Sequence, residues 1–361
     1  LPGIEGNYGI GLPQSEILIP QIIKKSSPHY ATGAFGKWNI GFAPGSRPTE
    51  RGFDEFLGHA SGNMHYYNHV YKGKHDLYQD TVEIDRTGEY CSDLFADAAI
   101  DFIRRKTSNE DPWFVYLPFN APHFPSPANQ APGQPNKWEA PDWAFSEVYG
   151  LSPDEEDPHK RYYAVITALD RAIGNVLGAL DSLGIADNTF VFLYSDNGAF
   201  RLDRPVDIGI NDPLRSGGVT CWEGGLRVPA FARWPGKIKA NSVISTPLWS
   251  PDIFIASALL SRAELPIDRV LDGKDPLKVL LGKTDDSPHE SFFFQYEVHA
   301  ALRMGDWKIV RTNPAETWQL FNLKEDISET TNRASEKPNL VENLNRTFMQ
   351  KQEEILNSTG Y

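Results

Sequence analysis

Cysteine is nearly missing: two in 361 residues, too few for a disulfide scaffold. Neither Cys91 nor Cys221 belongs to a C-x-x-C pair, so that type of zinc or dithiol motif is excluded, and both read as buried free thiols. Positive charge is scarce as well. Thirty-five Lys and Arg face 48 Asp and Glu, a net charge of −13. That is the wrong sign for general nucleic-acid binding, although a pocket on an acidic protein can still be locally basic. Apolar runs such as IFIASALL fall far short of the roughly 20 residues a membrane-spanning helix needs. Internal repeats and low-complexity tracts are lacking too. The first residue is Leu1 and no charged-then-apolar leader precedes it, so a processed chain or a piece of a longer one is expected. The sequons at Asn345 and Asn357 are compatible with a secreted product.

What is present suits a globular protein. Hydrophobic residues make up 40% and aromatics 12% of the chain, and the mean hydropathy of −0.43 argues against disorder. SDLFADAAIDFIRRK (92–106) places Leu94, Phe95, Ala98, Ala99, Phe102 and Ile103 on one helical face, with Ser92 as its expected cap. PWFVYLPF follows as a buried strand, then a proline-studded excursion too long for a plain connector. KRYYAVITALDRAIGNVLGALDSLG is a helix with an expected stripe of Tyr162, Ile166, Leu169, Ile173, Val176, Leu180 and Leu183, stopped at Gly184. A strand from Thr189 to Tyr194 comes next. Alternating helices and strands predict an α/β fold with a mostly parallel sheet flanked by helices. Beyond residue 285 the pattern changes to short strands and one helix, a small antiparallel sheet with a covering helix. The expected organisation is an α/β domain over 1–285 and a C-terminal α+β subdomain over 286–361.

The candidate chemistry sits in loops. FGKWNIGFAPGSRPTERGFDEFLGHASG (35–62) sets Lys37, Asn39, Arg47, Arg51 and His59 among eight glycines and prolines, a composition that either marks turns or presents side chains to a ligand. PFNAPHFP carries His123 after one strand, and SDNGAF carries Asp196 and Asn197 after another. Ligands of open α/β sheets bind beyond such strand ends. A carboxylate beside an amide oxygen suits a hard cation, though the same residues also make ordinary turns. His65 and His69 have helical i, i+4 spacing, but their flanks do not promise a helix, and a zinc site is not expected there. Glu223, before Gly224-Gly225, reads as part of a rigid corner.

Taken in order, GKWNIGF, RGFDEFLGHASG, APHFP, LDRAIGNVLGALDSLGIADNTFVFLYSDNGA, LRSGGVTCWEGGLRVPAFARWPGKI and LRMGDWKIVR…WQLFNLKEDISET resemble the blocks of the sulfatase family, within the alkaline-phosphatase-like superfamily. The resemblance runs from about Tyr30 to the C-terminal helix. It implies hydrolysis of sulfate monoesters by a formylglycine hydrate made from a C/S-x-P-x-R motif, with calcium held by two further Asp residues and an Asp-Asn pair. It places Lys37 at the sulfate-binding lysine and His123 at the histidine that assists at the sulfate and leaving group. Asp196 and Asn197 fall on the two metal ligands. It also implies a secreted, periplasmic or lysosomal-type compartment and a sulfated small molecule or glycan as substrate.

Three departures accompany the resemblance. Asn39, carried over as a catalytic position, stands where the family's GKWH motif has histidine, and an amide cannot shuttle a proton near neutral pH. Gly218 stands where the family's RGGKG motif has lysine, so lysine restored there is expected to raise turnover. The sequence contains no C/S-x-P-x-R motif and no leading Asp pair; both are expected upstream of Leu1, and the calcium site of this chain alone is expected to be incomplete. The alternative expectation is a catalytically inactive sulfatase-like protein that binds sulfated glycans or a partner.

Overall fold

The computed structural model describes residues 9–26, 28–126, 137–201 and 207–358; Leu1 and residues 127–136 of the proline-rich excursion lie outside them. The chain forms two compact units, residues 1–189 with 253–265, and residues 190–252 with 266–361.

The first unit is built on a five-stranded sheet. After helix α1 (Ile19–Ile23) come β1 (Ala31–Lys37), β2 (Glu55–His59), β3 (Val70–Tyr71), β4 (Lys74–His75), β5 (Tyr78–Gln79) and β6 (Val82–Glu83). Helix α2 (Cys91–Ser108), strand β7 (Trp113–Tyr116), helices α3 (Asp142–Tyr149) and α4 (Pro158–Ser182), and the helical residues 253–261 that return to this unit follow. The strand order is β6-β5-β2-β1-β7. β1 runs parallel to β2 and β7, whereas β5 and β6 are antiparallel additions. The short pair β3–β4 stands apart as its own hairpin.

Register decides which residues share a face. Phe35 of β1 meets Phe102 of α2, with ring centroids 5.7 Å apart, so the odd-numbered residues of β1 face α2. Ala34 and Phe56 face the other way, into a core with Trp38, Phe42, Phe53 and Ala60. In α2, Leu94, Phe95, Ala99, Phe102 and Ile103 are buried as the periodicity predicts. Ser92 is not its cap: it is the second helical residue and buried, and Tyr90 occupies the cap position.

Helix α4 also departs from expectation. Its buried residues are chiefly Ala164, Val165, Ala168, Ala172, Ala179 and Leu180, while Ile166 is exposed. The alanines permit close approach to α2 and α3, so small residues carry most of the contact stripe, and of the large residues expected there Leu180 alone is fully buried. Among the described residues α4 is the one helix long and apolar enough to cross a membrane by length and composition. Here it packs as a flanking helix, capped by Asp157, whose side chain accepts from the His159 amide, and followed by Gly184 at φ +67°.

The second unit contains β8 (Val191–Tyr194), α5 (Glu223–Leu226), β9 (Ala230–Arg233), the first residue of α6 (Asp252–Ser261), α7 (Leu277–Leu280), β10 (Phe292–Tyr296), β11 (His299–Met304), β12 (Trp307–Arg311), β13 (Gln319–Asn322) and α8 (Pro338–Ser358). β8 pairs antiparallel with β9. β10 to β13 form an antiparallel meander whose inner residues Ala300, Leu302, Ile309 and Leu320 are covered by Leu344 and Phe348 of α8. These are the elements expected for 286–361, and they cluster with 190–252.

Candidate active site

In the first unit, β1, β2 and β7 end at the same side of the parallel sheet. Lys37 and His59 close their strands and are register partners. The ladder continues past them: the Lys37 amide donates to the Pro118 carbonyl at 2.8 Å, and the Trp38 amide to the His59 carbonyl at 2.9 Å. Glycine makes this spacing possible. A Cβ on Gly58 would lie 1.9 Å from the Gly36 carbonyl oxygen, and one on Gly36 would lie 2.0 Å from that of Pro118. Only hydrogen fits at either position.

The loop after β7 brings His123 to this end. Asn120 is buried and donates to the Met64 carbonyl at 2.8 Å, Asn63 donates to the Phe124 carbonyl at 3.0 Å, and the Tyr66 hydroxyl donates to the His123 carbonyl at 3.0 Å. Asn39 turns the chain out of β1 with φ +55°, a conformation asparagine tolerates better than most residues. Its amide donates to the Ala60 carbonyl at 3.3 Å. Its Oδ1 is buried with no hydrogen-bond partner among the described residues. Lys37, Asn39 and His123 are thus brought to one sheet end.

Electrostatics at this end disfavour further positive charge. Burial, then Lys37, His123 and His69, push the His59 imidazole well below the usual histidine range. His69 is pushed down to about 4, chiefly by burial. His65 and His69 do not form a metal pair. His65 Nδ1 accepts from the Tyr67 and Asn68 amides and its Nε2 lies 2.9 Å from Glu139, whereas His69 Nε2 meets the Glu89 carbonyl. Arg51 is a structural residue, fully buried and donating to the carbonyls of Leu12 and Glu16.

Asp196 and Asn197 belong to the second unit, after β8. Asp196 Oδ1 accepts from the Asn197 amide at 3.0 Å, and Asn197 Nδ2 donates to the Gly198 carbonyl at 2.9 Å. With its nitrogen so engaged, Asn197 is left its oxygen as a donor to a cation, so the pair fits a hard metal ion with two oxygen ligands. Among the described residues no cluster of three or more His, Cys, Asp or Glu could hold a metal. The loop is held by close backbone packing, a Cβ on Gly198 falling 1.8 Å from the Gly224 carbonyl oxygen. Gly218 has no room for the lysine expected to help: its Cβ would lie 2.8 Å from the Gly198 carbonyl oxygen and 3.3 Å from Asn197 Nδ2.

Matching known proteins against the chain settles its kinship. The sulfatase family model matches residues 3–263. This chain belongs to the sulfatase family. A second model, the C-terminal region of N-sulphoglucosamine sulphohydrolase, matches residues 220–355. The N-acetylgalactosamine-6-sulfatase of Rattus norvegicus is 33% identical over 86% of this chain and 57% of its own length. The steryl-sulfatase of the same organism is 27% identical over 86% of this chain and 62% of its own. Among solved structures, Ps i-CgsB in complex with k-i-k-neocarrahexaose superposes with a TM-score of 0.83 at 27% identity, covering 97% of this chain and 77% of that one. The alkaline-phosphatase-like α/β fold expected of this chain is therefore present, with a mixed five-stranded sheet. The chain spans about 57% of the length of the first curated relative it matches.

Two residues, Lys308 and Glu329, had no role in the sequence reading. His59, one of the polar groups expected in the glycine-rich stretch, gains its place through its register with Lys37. Lys308 is fully buried on β12, with its Nζ 2.8 Å from Glu223 Oε1 and 2.9 Å from Glu329 Oε1. Glu329 Oε2 in turn accepts from the Glu223 amide at 2.7 Å. Glu223 is the corner expected, with its carboxylate fixed by a buried lysine. Both cysteines are buried free thiols as anticipated. Burial raises Cys91, and pushes Cys221 up to about 11, which keeps them unreactive.

Proposed function

We propose that the whole protein containing this chain hydrolyses sulfate monoesters, and that its substrate is a sulfated glycan or sugar. The observation that carries the reading is the convergence of Lys37 and His123 at one end of a parallel sheet in a sulfatase-family chain. The Lys37 ammonium neutralises the sulfate oxygens, and the neighbouring imidazole of His123 gives a proton to the departing sugar oxygen. Asn39 adds an amide contact. In the second unit, Asp196 and Asn197 would supply oxygen ligands to a metal ion, calcium in this reading. The nucleophile, a formylglycine in this reading, and the remaining metal ligands come from sequence outside these residues. Similarity to an N-acetylgalactosamine-6-sulfatase and to a structure in complex with k-i-k-neocarrahexaose supports the glycan class. Such substrates point to a secreted, periplasmic or lysosomal-type compartment.

The test is sulfate release by the full-length protein from 4-methylumbelliferyl sulfate and from N-acetylgalactosamine 6-sulfate. Turnover that is lost on chelation and restored by calcium is expected. No release from either, with formylglycine verified by peptide mass, overturns the reading. The second reading, an inactive sulfatase-like binding protein, is favoured by Asn39 and by the closed space at Gly218, and it then stands.

A further inference from the structure

The least comfortable polar group in the first unit is His59. Its side chain is 0% exposed, neither Nδ1 nor Nε2 has a partner in good hydrogen-bond geometry among the described residues, and the Ser61 backbone acts on the ring only as the smallest influence there. Leaving a buried donor or acceptor unpaired costs about 1–3 kcal/mol, and such groups in native structures call for a reason. As mere filler between β2 and α2, where its ring stacks on Phe95 at 6.1 Å and 17°, phenylalanine would serve better.

Its position supplies the reason. β1 and β2 are parallel and Lys37 pairs with His59, so the two Cα atoms are about 5 Å apart across the ladder and both side chains leave the sheet on its α2 face. Asn39 follows on the same strand end, its amide on the Ala60 carbonyl and its Oδ1 also unpaired. Two side chains with unmatched polar atoms thus lie close to the lysine in the chain and the register, Asn39 just past the end of β1 and His59 at the end of β2. The titratable groups acting on His59 are Lys37 from β1, His123 from the loop after β7, and His69 from the turn before β3. Asp76, which accepts from the Ala60 and Ser61 amides, anchors the residues just after it.

We propose that His59 is a positioning residue of the sulfate site: its imidazole, unpaired in this structure, is the acceptor that the Lys37 ammonium takes up when an anion enters, and so it aims that cation at the sulfate. The proposal rests on the sulfate-ester reading above. Surrounded by cations and stripped of water, the ring stays neutral and therefore keeps a lone pair to accept with. An anion drawn to Lys37 brings the ammonium to that lone pair, so occupancy of the site is read out at the His59 ring.

Two measurements on the full-length protein decide the matter. In kinetics, His59→Phe keeps the stack on Phe95 but removes the acceptor. kcat for the sulfate ester is expected to fall about a hundredfold, the scale of a misplaced reacting group, with KM nearly unchanged. His59→Gln, which keeps an acceptor, and Asn39→His on the His59→Phe background should each recover much of the loss. Wild-type kcat in His59→Phe overturns the proposal. In spectroscopy, histidine-selective 15N spectra follow His59 as inorganic sulfate is added. The accepting ring nitrogen should move upfield, as a neutral imidazole does on gaining a hydrogen bond at its lone pair, and Lys37→Met should abolish the response. A ring unmoved by sulfate in the wild type overturns the proposal whatever the kinetics show. A ring that responds in a protein without any sulfate-ester turnover supports the positioning role and overturns the hydrolase reading alone.

Discussion

Replacing Lys308 by methionine isolates the buried ion cluster of the second unit. The lysine is 0% exposed and holds two carboxylates, Glu223 at 2.8 Å and Glu329 at 2.9 Å. Methionine matches its stem but leaves two buried carboxylates with no cation. Removing one partner of such a cluster costs about 3–5 kcal/mol, and at about 2–4 °C per kcal/mol for a unit of this general size the melting transition should fall by roughly 10 °C at neutral pH. The deficit has a pH signature. Burial raises the Glu329 carboxyl above its ordinary value of 4.5, with Lys308 pulling the other way. A raised carboxyl favours the folded state at low pH, and that contribution disappears as pH climbs through the folded-state value. Without Lys308 the carboxyl rises further, so the variant should be closest to wild type in acid and furthest from it at neutral pH. The triple change Glu223→Gln, Lys308→Met, Glu329→Gln removes all three charges and should recover much of the loss. Urea unfolding and thermal melts between about pH 5 and 8 give the answer. A single variant that loses under about 1 kcal/mol at neutral pH, or a deficit independent of pH, refutes the account of the cluster as a buried, mutually dependent set.

Other changes probe the two strand-end loops. Lys37→Ala should lower kcat/KM of the full-length protein on the order of a hundredfold or more; near-normal initial rates would show that this cation does not meet the sulfate. Gly218→Lys should destabilise by about 1–3 kcal/mol through overpacking and weaken calcium binding by pushing on Asn197, measured by calorimetry with and without the ion; a gain in turnover would mean the backbone yields at this point. Gly58→Ala should abolish the β1–β2 closure, seen as loss of soluble protein or of amide protection at Lys37 and Trp38, because the Cβ would lie 1.9 Å from a carbonyl oxygen. A stable, fully protected variant would refute the close-approach argument.

Much of the fold was legible because periodicity is a local property. The burial of Leu94, Phe95, Phe102 and Ile103 follows from spacing alone, as does the stop at Gly184. The stripe of α4 was misread for a physical reason: large aliphatic residues attract attention in a sequence, yet a tight helix contact selects alanine, and which face meets α2 is a tertiary fact. The site was half legible. Lys37, Asn39 and His123 stand in recognisable loops. His59 acquires its role from a register that no spacing announces, and the pairing of Glu223 with Lys308 joins residues 85 apart. The closed space at Gly218 is likewise invisible until the neighbouring carbonyl is placed.

The glycines before Lys37 and His59 have a consequence for how this site tolerates change. Gly36 and Gly58 are register partners, each one residue upstream of a side chain that leaves the end of its strand. They fix the interval between those two side chains through backbone alone and take no part in choosing what the side chains are. Identity and spacing are thereby under separate control. Residue 37, which is only half-buried, can be exchanged for groups of different charge or acidity with the strands still seated, whereas fully buried residue 59 admits only uncharged groups of similar size, so a library restricted in this way would sample new anion-binding chemistries on an unaltered frame. A library that touched either glycine would sample mostly unfolded chains.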